Sequence, residues 1–128
     1  MKIGIDIHGV VDSAPEFFSL ITKLLVESGS EVHILTGKMV KHGAKEELEE
    51  FGISYTHFFS IADFHAENKT KGMWYSDNGN PWVDNETWDR SKADYCREHQ
   101  IDFHIDDTLR YGDYFTTPFA FMKIKNES

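Results

Sequence analysis

KIGIDIHGVVD, residues 2–12, is the stretch from which the fold of this chain is read. A short apolar strand, Lys2 to Asp6, delivers a carboxylate to its C-terminal end, and Gly9 provides a tight exit. Asp6 and His8 are two residues apart, so an extended backbone would turn both side chains to the same side. A strand that ends in this way is the expected opening of an α/β sheet whose reactive groups gather beyond the carboxyl ends of its strands.

The elements downstream agree with that opening. Pro15 suits the first turn of a helix, with Ser13 or Ala14 near its cap. Phe18, Ile21, Leu24 and Leu25 recur at helical spacing and predict one apolar face, which Gly29 ends. Glu31 to Leu35 reads as the next strand, and the helix between is long enough for a parallel crossover. Thr36 and Gly37 follow this strand as Asp6 and its loop follow the first. A second helix is expected over Ala44 to Phe51, with Gly52 as terminator, and a third strand over Ile53 to Phe59. Ile61 to Asn85 is the least regular stretch. Within it SDNGNP is a turn signal between MWY and WV, so residues 61–85 are expected to hold a hairpin or small flap. Helix returns from about Glu86 to His99, with Trp88, Tyr95, Cys96 and His99 toward its inward side. Ile101 to Ile105 is a strand ending in Asp106 and Asp107, and PFAFMKI is a candidate fifth strand. The expectation is one domain over residues 1–128: an α/β, three-layer, Rossmann-like fold with a mainly parallel sheet.

Composition narrows the function classes. A net charge of -9 would repel a nucleic-acid backbone, so duplex binding is disfavoured. A small phosphorylated metabolite remains compatible if a cation bridges it to an acidic pocket. Cys96 is the single cysteine, which excludes an intramolecular disulfide. No cationic amino-terminal stretch precedes a long apolar run, so neither a secretory signal nor a membrane span is expected and a cytoplasmic protein is.

Three strand-end motifs then converge: DIHGV, LTG and IDD. Together they resemble motifs one, two and four of the haloacid dehalogenase-like (HAD) hydrolases, with Lys92 in the place of motif three. The resemblance covers most of the chain from Lys2 through Asp107, with a minimal cap or hairpin insertion and a somewhat nucleotidase-like loop. It departs from the family at His8, where the Asp-x-Asp-Gly pattern has its second aspartate.

The resemblance implies roles that the residue chemistry supports. Asp6 is the expected nucleophile, because a carboxylate is already ionised near neutral pH. Thr36 and the Gly37 amide would donate hydrogen bonds to phosphate, the glycine permitting close backbone approach. Lys92 would neutralise charge. About 10 Å of helix from Lys92 toward His99, at about 1.5 Å per residue, and roughly 16 Å of returning strand let it meet the sheet edge. Lys69 and Lys71 are the fallbacks. Asp106 and Asp107 suit Mg2+, with Asp106 favoured by the resemblance as the direct ligand and the His8 backbone carbonyl as a further one. The His8 side chain leaves two outcomes open: an imidazole replacing the usual proton-transfer carboxylate, or lost turnover.

Asp12 is expected to shape the loop or cap the next helix, and His33 and His104 to serve packing. Nothing in the sequence has the convergent Cys/His spacing of a structural zinc site. Trp74, Tyr75, Trp82 and Trp88 read either as ordinary hairpin packing or as an aromatic lid over a flat group such as a nucleotide base. The leading expectation is magnesium-dependent hydrolysis of a small phosphomonoester through an aspartyl-phosphate, with altered or weak turnover. The alternative is a non-enzymatic magnesium- and phosphate-binding module. A phosphoacceptor signalling domain ranks third, since such receivers usually begin with the acidic pair.

Overall fold

The structure is a computed structural model and describes residues 1–124. The elements follow in the order β1 Lys2–Ile5, α1 Pro15–Glu27, β2 Glu31–Thr36, α2 Ala44–Glu50, β3 His57–Ser60, α3 Ile61–Asn68, β4 Trp74–Tyr75, β5 Pro81–Trp82, α4 Asn85–Glu98, β6 Phe103–Asp106 and β7 Phe119–Phe121. Five strands form one parallel sheet in the order β3-β2-β1-β6-β7, and β4 and β5 form a separate antiparallel hairpin. The chain winds outward from β1 to β3, then returns to the other side of β1 as β6. That reversal is a topological switch point, the place where open α/β sheets leave a crevice.

Side-chain alternation along the strands divides the core in two. Ile3, Ile5, Val32 and Ile34 pack with Phe18 of α1 and with Ala44 and Leu48 of α2. On the opposite face Leu35 packs with Tyr95, Cys96 and Ile101, which brings α4 against the sheet. Helices therefore cover both faces, the arrangement a fully parallel sheet requires. Each fully buried aliphatic residue, such as Ile5 or Ile34, stabilises this arrangement by about 1.5–3 kcal/mol.

Several expected boundaries shift for local reasons. On α1 the buried positions are Phe18 and Thr22, flanked by Ile21 and Leu25, while Leu24 is 50% exposed. Thr22 fits inside because its hydroxyl donates to the Phe18 carbonyl at 2.6 Å. The third strand starts later than expected: the Ile53 amide closes α2 on the Leu48 carbonyl at 2.9 Å. The start of the supposed irregular stretch is corrected outright, since Ile61–Asn68 is helix α3. Ser60 begins it by accepting from the Asp63 amide at 3.1 Å. The hairpin falls where the turn signal predicts, with Trp74 opposite Trp82 and their rings stacked at 5.8 Å. Cys96 is buried, and burial pushes its thiol up to about 12. His99 is exposed and sits at the rim of α4 rather than on its buried face. Among the described residues no helix is long and apolar enough to cross a membrane.

Candidate active site at the switch point

The two central strands carry carboxylates to the same edge. β1 pairs Ile5 with Ile105 of β6, so the next residues, Asp6 and Asp106, end neighbouring strands side by side. The Asp6 amide continues the ladder to the Ile105 carbonyl at 3.1 Å. Two like charges at that separation need a cation between them, and Lys92 supplies it. Its Nζ lies 3.0 Å from Asp6 Oδ1 and 2.8 Å from Asp106 Oδ2, with all three side chains buried. Lys92 reaches the edge from α4, whose start is fixed by Asp84 accepting from the Thr87 amide at 2.8 Å. Lys69 and Lys71 are exposed, and neither takes part in this bridge.

The electrostatics are uneven. Burial pushes the Asp6 carboxyl up to about 7; the Asp106 charge adds to this, and Lys92 opposes it. Burial also works against the Asp106 charge, but a hydrogen bond from His104 and the Lys92 ammonium outweigh it and hold that carboxyl well below the usual range. For Lys92 burial opposes the ammonium, and the two carboxylates outweigh it. His104 is fully buried, which lowers its proton affinity, and its Nε2 lies 2.9 Å from Asp106 Oδ2. The Thr108 amide donates to the other Asp106 oxygen at 3.1 Å. Asp106 is therefore the best-supported charge of the set, and Asp6 the least compensated one.

Asp107 joins from the loop. One oxygen from each of Asp6, Asp106 and Asp107 lies within 4.8 Å of the others. Gly9 makes this possible: its φ is +84°, and a Cβ there would meet Asp107 Oδ2 at 1.9 Å. The loop is held by the Gly9 amide, which donates to Asp12 Oδ1 at 2.7 Å, so Asp12 shapes it as expected.

The expectation for the His8 side chain is corrected. β1 ends at Ile5 and the chain turns over residues 7–10, so Asp6 and His8 do not share an extended face. The His8 imidazole is 44% exposed, and its Nε2 lies 2.8 Å from Glu47 of α2, which also pairs with Lys38. Thr36 ends β2, one strand over from Asp6, and is fully buried, with Oγ1 accepting from the Lys38 amide at 3.2 Å. Gly37 lies under Trp88, where a Cβ would come 2.7 Å from Cζ2, so the ring is one reason for the glycine. Trp88 Nε1 donates to Tyr111 at 3.0 Å, and the Tyr111 ring centroid lies 5.4 Å from Lys92 Nζ.

A cleft of about 150 Å³ opens beside Gly37, between Lys38 and His42 on one side and Asn80, Trp82 and Trp88 on the other. Trp88 and Trp82 thus line a pocket next to the Thr36–Gly37 turn. Sequence reading missed His104, Glu47 and Tyr111 as neighbours of this site. Only His104 carries a signal, since it precedes Asp106 by two residues on a strand and so shares its face.

The arrangement defines a class of protein: a Rossmann-like α/β fold with a five-stranded parallel sheet and a lysine-bridged carboxylate cluster at its switch point. No protein-family model matches the chain, and no curated protein matches it.

Proposed function

We propose that the chain is a HAD-like hydrolase that uses Mg2+ to remove phosphate from a small phosphomonoester. The observation that carries the reading is the Asp6–Lys92–Asp106 bridge, with Asp107 beside it and the Thr36–Gly37 turn on the next strand. The donor set suits the ion. Three carboxylates face one buried ammonium, and burial, with a smaller contribution from the Asp106 charge, raises the Asp6 carboxyl against Lys92. Asp6, Asp106 and Asp107 would hold Mg2+ through oxygen alone, as that ion prefers, with the His8 backbone carbonyl as a further ligand. When bound, the ion would neutralise phosphoryl charge.

The residues then divide the chemistry. A free Asp6 oxygen attacks phosphorus, the bond to the leaving oxygen breaks, and an aspartyl-phosphate forms. Lys92 offsets charge on the phosphoryl oxygens, while the Thr36 hydroxyl and Gly37 amide donate to them. His8 as imidazolium gives its proton to the leaving oxygen. As neutral imidazole it takes one from the water that attacks phosphorus, which frees Asp6 and phosphate and restores the imidazolium. Glu47 fixes one ring nitrogen and leaves Nδ1 for this traffic. The Trp82–Trp88 cleft favours a substrate with a flat group, such as a nucleotide.

Time-resolved intact-mass measurement with Mg2+ and a panel of small phosphate donors tests the cycle. Wild type should gain and lose one phosphoryl group while Asp6→Asn gains none. Absence of both adduct and product across the panel rejects the enzyme reading. One observation favours a second reading, a magnesium- and phosphate-binding module without turnover: the His8 ring is engaged by Glu47 rather than by Asp6. Tight binding of a phosphate analogue without adduct or product would select it.

A further inference from the structure

We propose that Glu31, His33 and His57 form a second metal site, for a zinc-type transition-metal dication, at the sheet edge opposite the carboxylates. Sheet register builds it. Glu31 and His33 are two apart on β2 and share a face, and His57 of β3 is the register partner of His33. One ligand atom from each lies within 4.8 Å of the others. Glu31 Oε1 is 2.8 Å from His33 Nε2 and 3.7 Å from His57 Nδ1. Glu31 opens β2 and Thr36 closes it, so the two edges lie about 16 Å apart at about 3.3 Å per residue.

The rings lie close together but nearly parallel, 4° between planes, so one ion can meet both only after a ring turns out of the stack. With metal–nitrogen bonds of about 2.0–2.1 Å, two imidazoles on one tetrahedral ion place their centroids about 5 Å apart. His33 and His57 are stacked at 4.1 Å, and His57, which is 47% exposed, can swing to open that distance. His33 is the fixed ligand, only 2% exposed. Its other nitrogen, Nδ1, lies 2.7 Å from the Tyr95 hydroxyl, which can donate or accept. In the metal-free protein the Nε2 proton bridges to Glu31. When a metal takes Nε2 the proton moves to Nδ1, and the tyrosine oxygen accepts it. Such an outer hydrogen bond is what orients a ligating histidine.

His99 stands beside the set at the end of α4 but outside the group of atoms within 4.8 Å. Its Nδ1 donates to the Tyr95 carbonyl at 3.0 Å, which leaves Nε2 with its electron pair, and its ring centroid is 6.2 Å from that of His33. Imidazoles with one carboxylate select zinc-type ions over magnesium. An ion here would tie edge strand β3 to β2, so its expected role is to stabilise the fold.

Cobalt titration of the EDTA-stripped full chain tests the proposal. One equivalent of Co2+ should give the intense visible bands of a four-coordinate ion, displaced by Zn2+ and insensitive to excess Mg2+. The same bands should persist in Asp107→Asn, which separates this site from the carboxylate cluster. His57→Ala and Glu31→Gln change half-exposed side chains, and each should weaken binding by at least about tenfold. As a second readout, Zn2+ with excess Mg2+ should raise the melting temperature of wild type and Asp107→Asn but not of His57→Ala. Cobalt affinity and melting shift unchanged in both ligand variants, or no binding at micromolar protein, would overturn the site.

Discussion

Asp6→Asn should make the metal-free protein more stable, and only at the higher pH. Burial raises the Asp6 carboxyl from its ordinary 3.8 to about 7. At about 1.4 kcal/mol per tenfold change in proton affinity, that rise corresponds to roughly 4 kcal/mol as a ceiling. The sign follows from linkage. A carboxyl whose folded-state value is raised contributes stability that is fully present below 3.8 and lost as pH rises through about 7. Asp106 acts the other way, since its depressed value contributes stability above the ordinary carboxylate range and loses it as pH falls. That contribution is common to both proteins and largely subtracts in the comparison. Asparagine resembles the neutral carboxyl and can still accept from Lys92, but its amide group needs an acceptor of its own. The expected difference is therefore about 1–3 kcal/mol in favour of Asp6→Asn at pH 8, and near zero at pH 4.5. Urea denaturation in EDTA at the two pH values measures it. A variant less stable than wild type at pH 8, or a difference that does not change with pH, would refute the reasoning. With Mg2+ at a hundredfold excess over its dissociation constant, wild type should recover about 2.7 kcal/mol, provided that the variant has lost the ion.

Three further changes probe the same edge. Lys92→Met removes the cation between two buried carboxylates and should cost about 3–5 kcal/mol at pH 8, read by urea denaturation. Gly9→Ala places a methyl against Asp107 in a left-handed backbone, so it should lose about 1–3 kcal/mol and weaken Mg2+ binding measured by calorimetry. His8→Asp should raise turnover on alkyl phosphates by about 10²-fold or more if proton transfer limits the reaction, with a smaller gain on aryl phosphates, whose leaving oxygen needs less protonation. No gain over wild type across several phosphomonoesters would sink that idea.

Much of this fold was legible because its signals are local. Gly29 ends α1, the SDNGNP turn makes the hairpin, and the strand ends carry Asp6, Thr36 and Asp106 to one edge. Lys92 was legible too, since Lys92, Tyr95 and Cys96 fall at helical spacing on one buried face. What could not be read depends on partners distant in sequence. Helix α3 buries His65, an inward position recognisable only once Ser91 at 2.8 Å and Thr70 at 2.7 Å satisfy both ring nitrogens. The direction of His8 depends on where β1 stops, and one residue of strand decides it. The Glu31, His33 and His57 cluster needs the β2–β3 register, which no spacing along the chain announces.

The same contrast separates the two halves of the proposed chemistry. Asp6, Lys92 and Asp106 are buried, mutually bonded and held by strand ends and a capped helix, so charge neutralisation is built before any substrate arrives. His8 is held to the fold by an exposed pair with Glu47, an interaction worth about 0–1 kcal/mol, so its ring can leave that carboxylate at little cost. On the proposed cycle, a preorganised nucleophile beside a loosely held proton carrier would leave the two proton transfers, to the leaving oxygen and from the attacking water, as the fragile part. Under that proposal, histidine in the place of the family's aspartate would bear on both formation and release of the intermediate, and the comparison of alkyl with aryl phosphates separates the two. A long-lived aspartyl-phosphate is also what would let a weak hydrolase and a phosphate-holding module be built on one set of residues.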